Sequence, residues 1–184
     1  MALELARALA ATERDDNLHV ARLLLLLRAQ SGDKKKPLDG LTKLAKLDFL
    51  LRYPNSLERA LVAEGREREE AQIDDFERTT IESKMIRFRY GPWDHRYRRW
   101  AALLVAKGLA VVWVKGKTVN IALTDEGVSA ADQLLTSSAM KPVYGRAALI
   151  SRHFGSKSGT ALKNFVYETF PELTDMKWGE EILL

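Results

Sequence analysis

Five consecutive leucines, Leu23 to Leu27, constrain the fold of this chain more than any other feature. Successive residues step about 100° around a helix, so five apolar residues in a row leave no polar side. The run lies between Arg22 and Arg28 and falls far short of the roughly 20 residues that cross a bilayer. A helix here must be covered on several sides, by the rest of the chain or by a second chain. Asp15, Asp16 or Asn17 is placed to cap it, and Ser31 and Gly32 to stop it. Leu24 and Leu27 are therefore candidate partner contacts.

The 184 residues suffice for one substantial core or two small lobes. Cysteine is absent, which excludes a disulfide framework, thiolate zinc sites and cysteine nucleophiles, and fits a reducing cytoplasm. No transmembrane helix is expected. The opening "MALELARALAATERDD" has acidic residues and no basic region ahead of a sustained apolar segment, so no signal peptide is expected either.

"GDKKKPLDG" reads as an exposed loop whose lysines are solvated. Asp39 is placed to cap "GLTKLAKLDFLLRYP", in which Leu41, Leu44, Leu47, Leu51 and either Asp48 or Phe49 track the helical faces until Pro54 ends it. A third helix, "NSLERALVAEG", has Asn55 as its cap and Gly65 as its stop or kink. The alternating charges of "REREEAQIDDFERTTIESK" predict a solvated helical extension or connector.

Next comes "MIRF", a short β-like run, with a turn at Gly91 and Pro92. Asp94 caps a helix from about His95 to Lys107, with Trp93, Tyr97, Trp100 or Ala101, and Leu104 at core spacing. "LAVVWV" and "TVNIAL" are strands joined through "KGK", and Thr124 or Asp125 caps the helix that follows. From Met140 the pattern gives an apolar helix, a Gly/Ser loop, and a helix capped by Ser158 or Thr160 with a stripe of Leu162, Phe165, Val166 and Phe170. The apolar residues of "TDMKWGEEILL" either fold back or dock on a partner, which makes Trp178, Ile182 and Leu183 further partner candidates.

This order predicts a mainly α (α+β) protein. A winged helix-turn-helix core with a small β-hairpin wing spans residues 37–138, with an N-terminal helical segment at 1–36 and a C-terminal one at 139–184 packing on the core or on a partner. "KGLAVVWVKGKTVNIALTDEG" is similar to the wing and its exit in many such domains. Winged helices bind proteins as well as DNA, so the fold leaves the function open.

For catalysis the chain offers little. His19, His95 and His153 are dispersed, with no ligand pair at helical spacing, so neither a metal nor another cofactor is expected. "FGSKSG" resembles a phosphate loop in composition but lacks the Gly-Lys-Ser/Thr ending. A nuclease-like set of Asp74 or Asp75 with Glu82 and Lys84 lies in the charge-alternating connector, without a sheet to fix its geometry. The chain is expected to be no enzyme.

Between Lys84 and Trp100, six Lys/Arg face only Asp94. His95, Arg96, Arg98 and Arg99 fall at the start of the candidate recognition helix, and Lys115 and Lys117 at the wing tip. These six are the candidate contacts to double-stranded DNA. The bland alternative is surface pairing for the basic residues and core packing for Trp93, Tyr97 and Trp100.

The strings "KLAKLDFLLRYP", "MIRFRYGPWDHRY" and "GTALKNFVYETFPEL" resemble the middle component of ABC-three-component systems, including the small subunit of Lamassu-type bacterial defence complexes. The resemblance covers about residues 43–173. It implies an accessory subunit that sits on an SMC-like ABC ATPase beside a larger effector subunit, in defence against phage or plasmids. The other reading of the same residues is a free-standing winged-helix transcriptional regulator.

Overall fold

In the computed structural model the described residues are 15–32, 36–75, 77–79 and 84–183. The opening segment read for a signal peptide, Lys34 and Lys35, Glu82 and Leu184 lie outside them or largely so.

Helix α1, Asp16–Ser31, is capped by Asp15, whose carboxylate accepts from the Asn17 amide at 2.8 Å. Leu23 to Leu27 are each at most 3% exposed. The cover that this run demands comes from the chain itself: α2 (Leu41–Arg52), α4 (Tyr97–Ala106), α5 (Asp125–Leu134) and α6 (Met140–Phe154) all pack on α1. Leu24 and Leu27 are therefore core residues and not partner contacts.

The expected loop before α2 contains a strand, β1 (Leu38–Asp39), whose Leu38 is buried opposite Ile121. Gly40, at φ 103°, takes the N-cap place given to Asp39, whose carboxylate instead pairs with Lys43 one turn on. Pro54 ends α2 and also opens α3 (Pro54–Ala63) as its first residue, so Asn55 lies inside the helix and not at its cap. Beyond it the connector makes two short 3-10 turns, Arg68–Ala71 and Glu77–Thr79. It is anchored rather than freely solvated: Ala71 and Ile73 are buried, and Arg78 and Arg146 pair with Glu58 and Glu77.

Strands β2 (Ile86–Phe88) and β3 (Gly91–Trp93) pair antiparallel, so the turn is Arg89 and Tyr90, and Gly91 and Pro92 belong to the strand. The C-terminal tail runs along the other side of β2. Arg87 donates to Glu180 O, and the Gly179 and Ile182 amides donate to Arg87 O and Met85 O. Tyr53 ties this edge to the core: its hydroxyl accepts from the Met85 amide at 2.7 Å and donates to Ile182 O at 3.0 Å.

Strands β4 (Ala110–Lys115) and β5 (Thr118–Leu123) form the expected hairpin, with Gly116 at φ 62° in the turn. The three-stranded sheet has the order β1-β5-β4, which leaves β4 at an edge. Thr124 caps α5 through the Gly127 amide, and Ser158 caps α7 (Gly159–Thr169) through the Ala161 amide. A short α8 (Glu172–Asp175) follows Pro171.

Ala147, Ile150, Phe154, Leu162 and Val166 join the same buried cluster as the α1 and α2 leucines. The three sequence segments thus share one core. None of the described helices is long and apolar enough to cross a membrane.

Candidate protein-docking face

The residues around α4 divide into an inner, charged side and an outer, apolar one. Tyr97, Trp100 and Leu104 point inward and are fully buried. There they meet a charge cluster built by α1 and α2. Asp48, fully buried, accepts from Arg22 Nε at 2.8 Å, Arg52 Nε at 2.9 Å and the Tyr97 hydroxyl at 2.7 Å. Burial pushes the Asp48 carboxyl up, but the two guanidiniums and the hydrogen bonds outweigh that and hold it at about 2. Arg52 also reaches Asp94 at 2.9 Å, and the Asp94 carboxyl is held well below its ordinary range because Arg96 and Arg52 outweigh its desolvation. The Trp100 ring lies under three guanidiniums, those of Arg22, Arg52 and Arg96, and its indole nitrogen donates to Asp16. His19 stacks on the same ring, with centroids 4.5 Å apart.

Sequence reasoning did not find this cluster. In the sequence Asp48 is one of two alternatives, with Phe49, for a place in the helical pattern, and its partners lie on other elements. The available signal was the burial pattern: α2 has apolar residues on every face, so its polar residues have to share the interior.

The cluster redistributes the DNA candidates. Helix α4 begins at Tyr97, so His95 and Arg96 precede it. Arg96, one-third exposed, pairs with Asp94 at 2.8 Å and lies over the Trp100 ring. His95 is exposed and meets the Phe88 ring edge-on. Arg99 is mostly exposed but pairs with Asp16 at 2.5 Å. Arg98 projects outward on α4, and Lys115 and Lys117 stand exposed at the hairpin tip.

The side of α4 that faces the hairpin is apolar apart from Arg98. Ala102 and Val105, with Leu41, Val112 and Val119, line a shallow groove of about 450 Å³ between α4 and the hairpin, and Arg98 is the one charged wall residue among the described residues. Strand β4 continues this surface. Val111, Val112, Trp113 and Val114 are 38–66% exposed, on both faces of an edge strand. Such an edge is a ready template for a further strand. Of the tail candidates, Ile182 is fully buried and belongs to the core, whereas Trp178 and Leu183 are each 66% exposed.

The nuclease-like set is not assembled among the described residues. Asp75 pairs with Arg78, Lys84 pairs with Glu181 at 3.2 Å, and Glu82 lies outside the described residues. No described group of three or more His, Asp or Glu side chains is placed to hold a metal ion. Comparison of the chain with protein-family models, curated proteins and solved structures finds no match.

Proposed function

We propose that this chain is a non-catalytic accessory subunit of an SMC-like ABC ATPase complex of the ABC-three-component type, acting in defence against phage or plasmids. Its core, on this reading, is a winged helix-turn-helix that binds protein. The order α1, β1, α2, α4, β4, β5 with the sheet order β1-β5-β4 supports that core, residues 53–96 being an excursion between the second and third helices.

One observation carries the functional reading: the face on which a winged helix commonly meets a duplex is here an apolar groove beside an apolar edge strand. Phosphate-binding faces are strongly basic, whereas the centres of protein interfaces are apolar, aromatic and poor in charge. The exposed cations Arg98, Lys115 and Lys117 rim this face, and they favour the second reading, a DNA-binding regulator.

The test is co-expression with an SMC-like ATPase and an effector subunit from the same gene neighbourhood, followed by size-exclusion chromatography. The wild type is expected to elute in a complex, and a Val105→Glu, Val112→Glu double variant to elute alone with unchanged thermal stability. Equal assembly by the variant would remove this face from the interface. A wild-type homodimer that shifts one specific operator, without an ATPase partner, would favour the regulator.

A further inference from the structure

A second cavity, which shares only Arg98 with the groove among the described residues, lies between α2 and the β2–β3 ribbon. Its volume is about 170 Å³, close to the roughly 150 Å³ of an engineered apolar cavity that takes up benzene. Phe88, Tyr90 and Trp93 supply aromatic walls, and two cations, Lys46 and Arg98, line it, with no carboxylate among its described wall residues. Gly91, at φ 114°, brings bare backbone to the wall: a Cβ built there would lie 4.0 Å from Lys46 Cε.

Lys46 is only 2% exposed. Among the described residues its ammonium donates one hydrogen bond, to Thr42 O at 2.9 Å, although an ammonium has three donors. Burial, and then Lys163 on α7, pull its pKa down to about 8. The nearest acid on its own helix, Asp48, is two residues on, about 200° around the axis, and engaged by Arg22, Arg52 and Tyr97. From α4 the facing charge is Arg98 and from the ribbon turn the titratable group is Tyr90, so none of the described groups around the cavity neutralises Lys46. A buried cation without a counter-charge is costly, and a bound anion removes that cost.

We propose that this cavity binds a small carboxylate carried on a single flat apolar ring, with the carboxylate on Lys46 Nζ and Arg98 and the ring between Phe88, Tyr90 and Trp93. The flat aromatic walls set the ring, and the two cations set the charge. Three aromatic walls disfavour a bare, strongly hydrated anion such as phosphate. Apart from Arg98, which both sites use, this inference stands on residues that the adaptor reading does not.

The test uses the full chain with lysine labelled at 13Cε, and follows the Lys46 resonance by NMR as benzoate is added at pH 7. Benzamide serves as the neutral analogue and inorganic phosphate as the anion without a ring. Benzoate is expected to shift Lys46 saturably and to bind at least about tenfold more tightly than benzamide or phosphate. Saturating benzoate should raise the Lys46 titration midpoint by about one pH unit, because a ligand that prefers the protonated amine tenfold moves its equilibrium by that amount. Lys46→Met should weaken binding about tenfold and Arg98→Gln about threefold. Benzamide or phosphate binding as tightly as benzoate, or no shift of Lys46 in the wild type, would overturn the proposal. Should Lys46→Met not fold, the wild-type midpoint and the surface variant Arg98→Gln decide the matter alone.

Discussion

Replacing Asp48 by asparagine tests the central element of the fold. The carboxylate is the shared acceptor for Arg22, Arg52 and Tyr97 inside a fully buried site. Asparagine keeps the shape but turns one acceptor into an NH2 donor that faces donors, and it removes the carboxylate charge that Arg22 and Arg52 share, leaving Arg52 its pair with Asp94. Removing one partner of a buried ion pair costs about 3–5 kcal/mol, which for a chain of this size lowers the melting temperature by about 6–20 °C. The acid dependence gives a second readout. A carboxyl held at about 2, against an ordinary value of 3.8, corresponds to about 2–3 kcal/mol of stability. Because the folded-state pKa is the lower one, this stabilisation is complete at neutral pH and is lost as pH falls from about 4 to about 2. Asp94 is depressed as well and shares Arg52 with Asp48, so the acid readout reports the coupled cluster, in which Asp48 is the group removed. Urea denaturation followed by circular dichroism at pH 7 and pH 3 measures both quantities. Asp39→Asn is the control: its carboxylate is 58% exposed and its pair with Lys43 contributes less than about 0.5 kcal/mol. A variant within about 1 kcal/mol of wild type at pH 7, or a gap that does not narrow in acid, would refute the reasoning.

Changing Arg98, Lys115 and Lys117 together to glutamine should leave folding intact; if they contact phosphates, it should also lower the slope of log affinity against log salt by about one unit per lost contact on unrelated duplexes. An unchanged slope would assign all three to the protein surface alone. Ile182→Ala should cost about 2–4 kcal/mol by urea denaturation because Ile182 is fully buried, whereas Leu183→Ala, at an exposed position, should stay within about 0.5 kcal/mol. Equal effects at the two positions would mean that the tail is not packed as described.

Local rules sufficed for the features that local rules control. The leucine run demanded an enclosed helix, and the Gly116 turn and the Thr124 and Ser158 caps followed from backbone geometry that a few neighbouring residues decide. What was missed depends on distant partners. Strand β1 is two residues long and exists because β5, some eighty residues later, offers it an edge. The tail strand along β2 has no alternating pattern of its own and is held by backbone bonds and Tyr53. The cluster around Asp48 draws on Arg22 and Tyr97, 26 residues before it and 49 after, and no window of sequence joins them. The pairing of Arg96 with Asp94 and its place over Trp100 likewise depend on a fold that brings Trp100 under it. The apolar edge was the opposite case, since the exposed valines of β4 read as ordinary strand residues until the sheet order placed them at an edge.

The salt bridge between Arg52 and Asp94 joins the two ends of the excursion that separates α2 from α4. A loop pinned at its base transmits little of its own length to the elements it leaves, and doubling such a loop costs only about 0.6 kcal/mol in closure entropy. The exposed turn at Gly65 and Arg66, far along this excursion, is thus a natural graft site. A fluorescent tag or an epitope spliced in there would ride on the molecule while the register between α2 and α4 stayed fixed by the clasp beneath it.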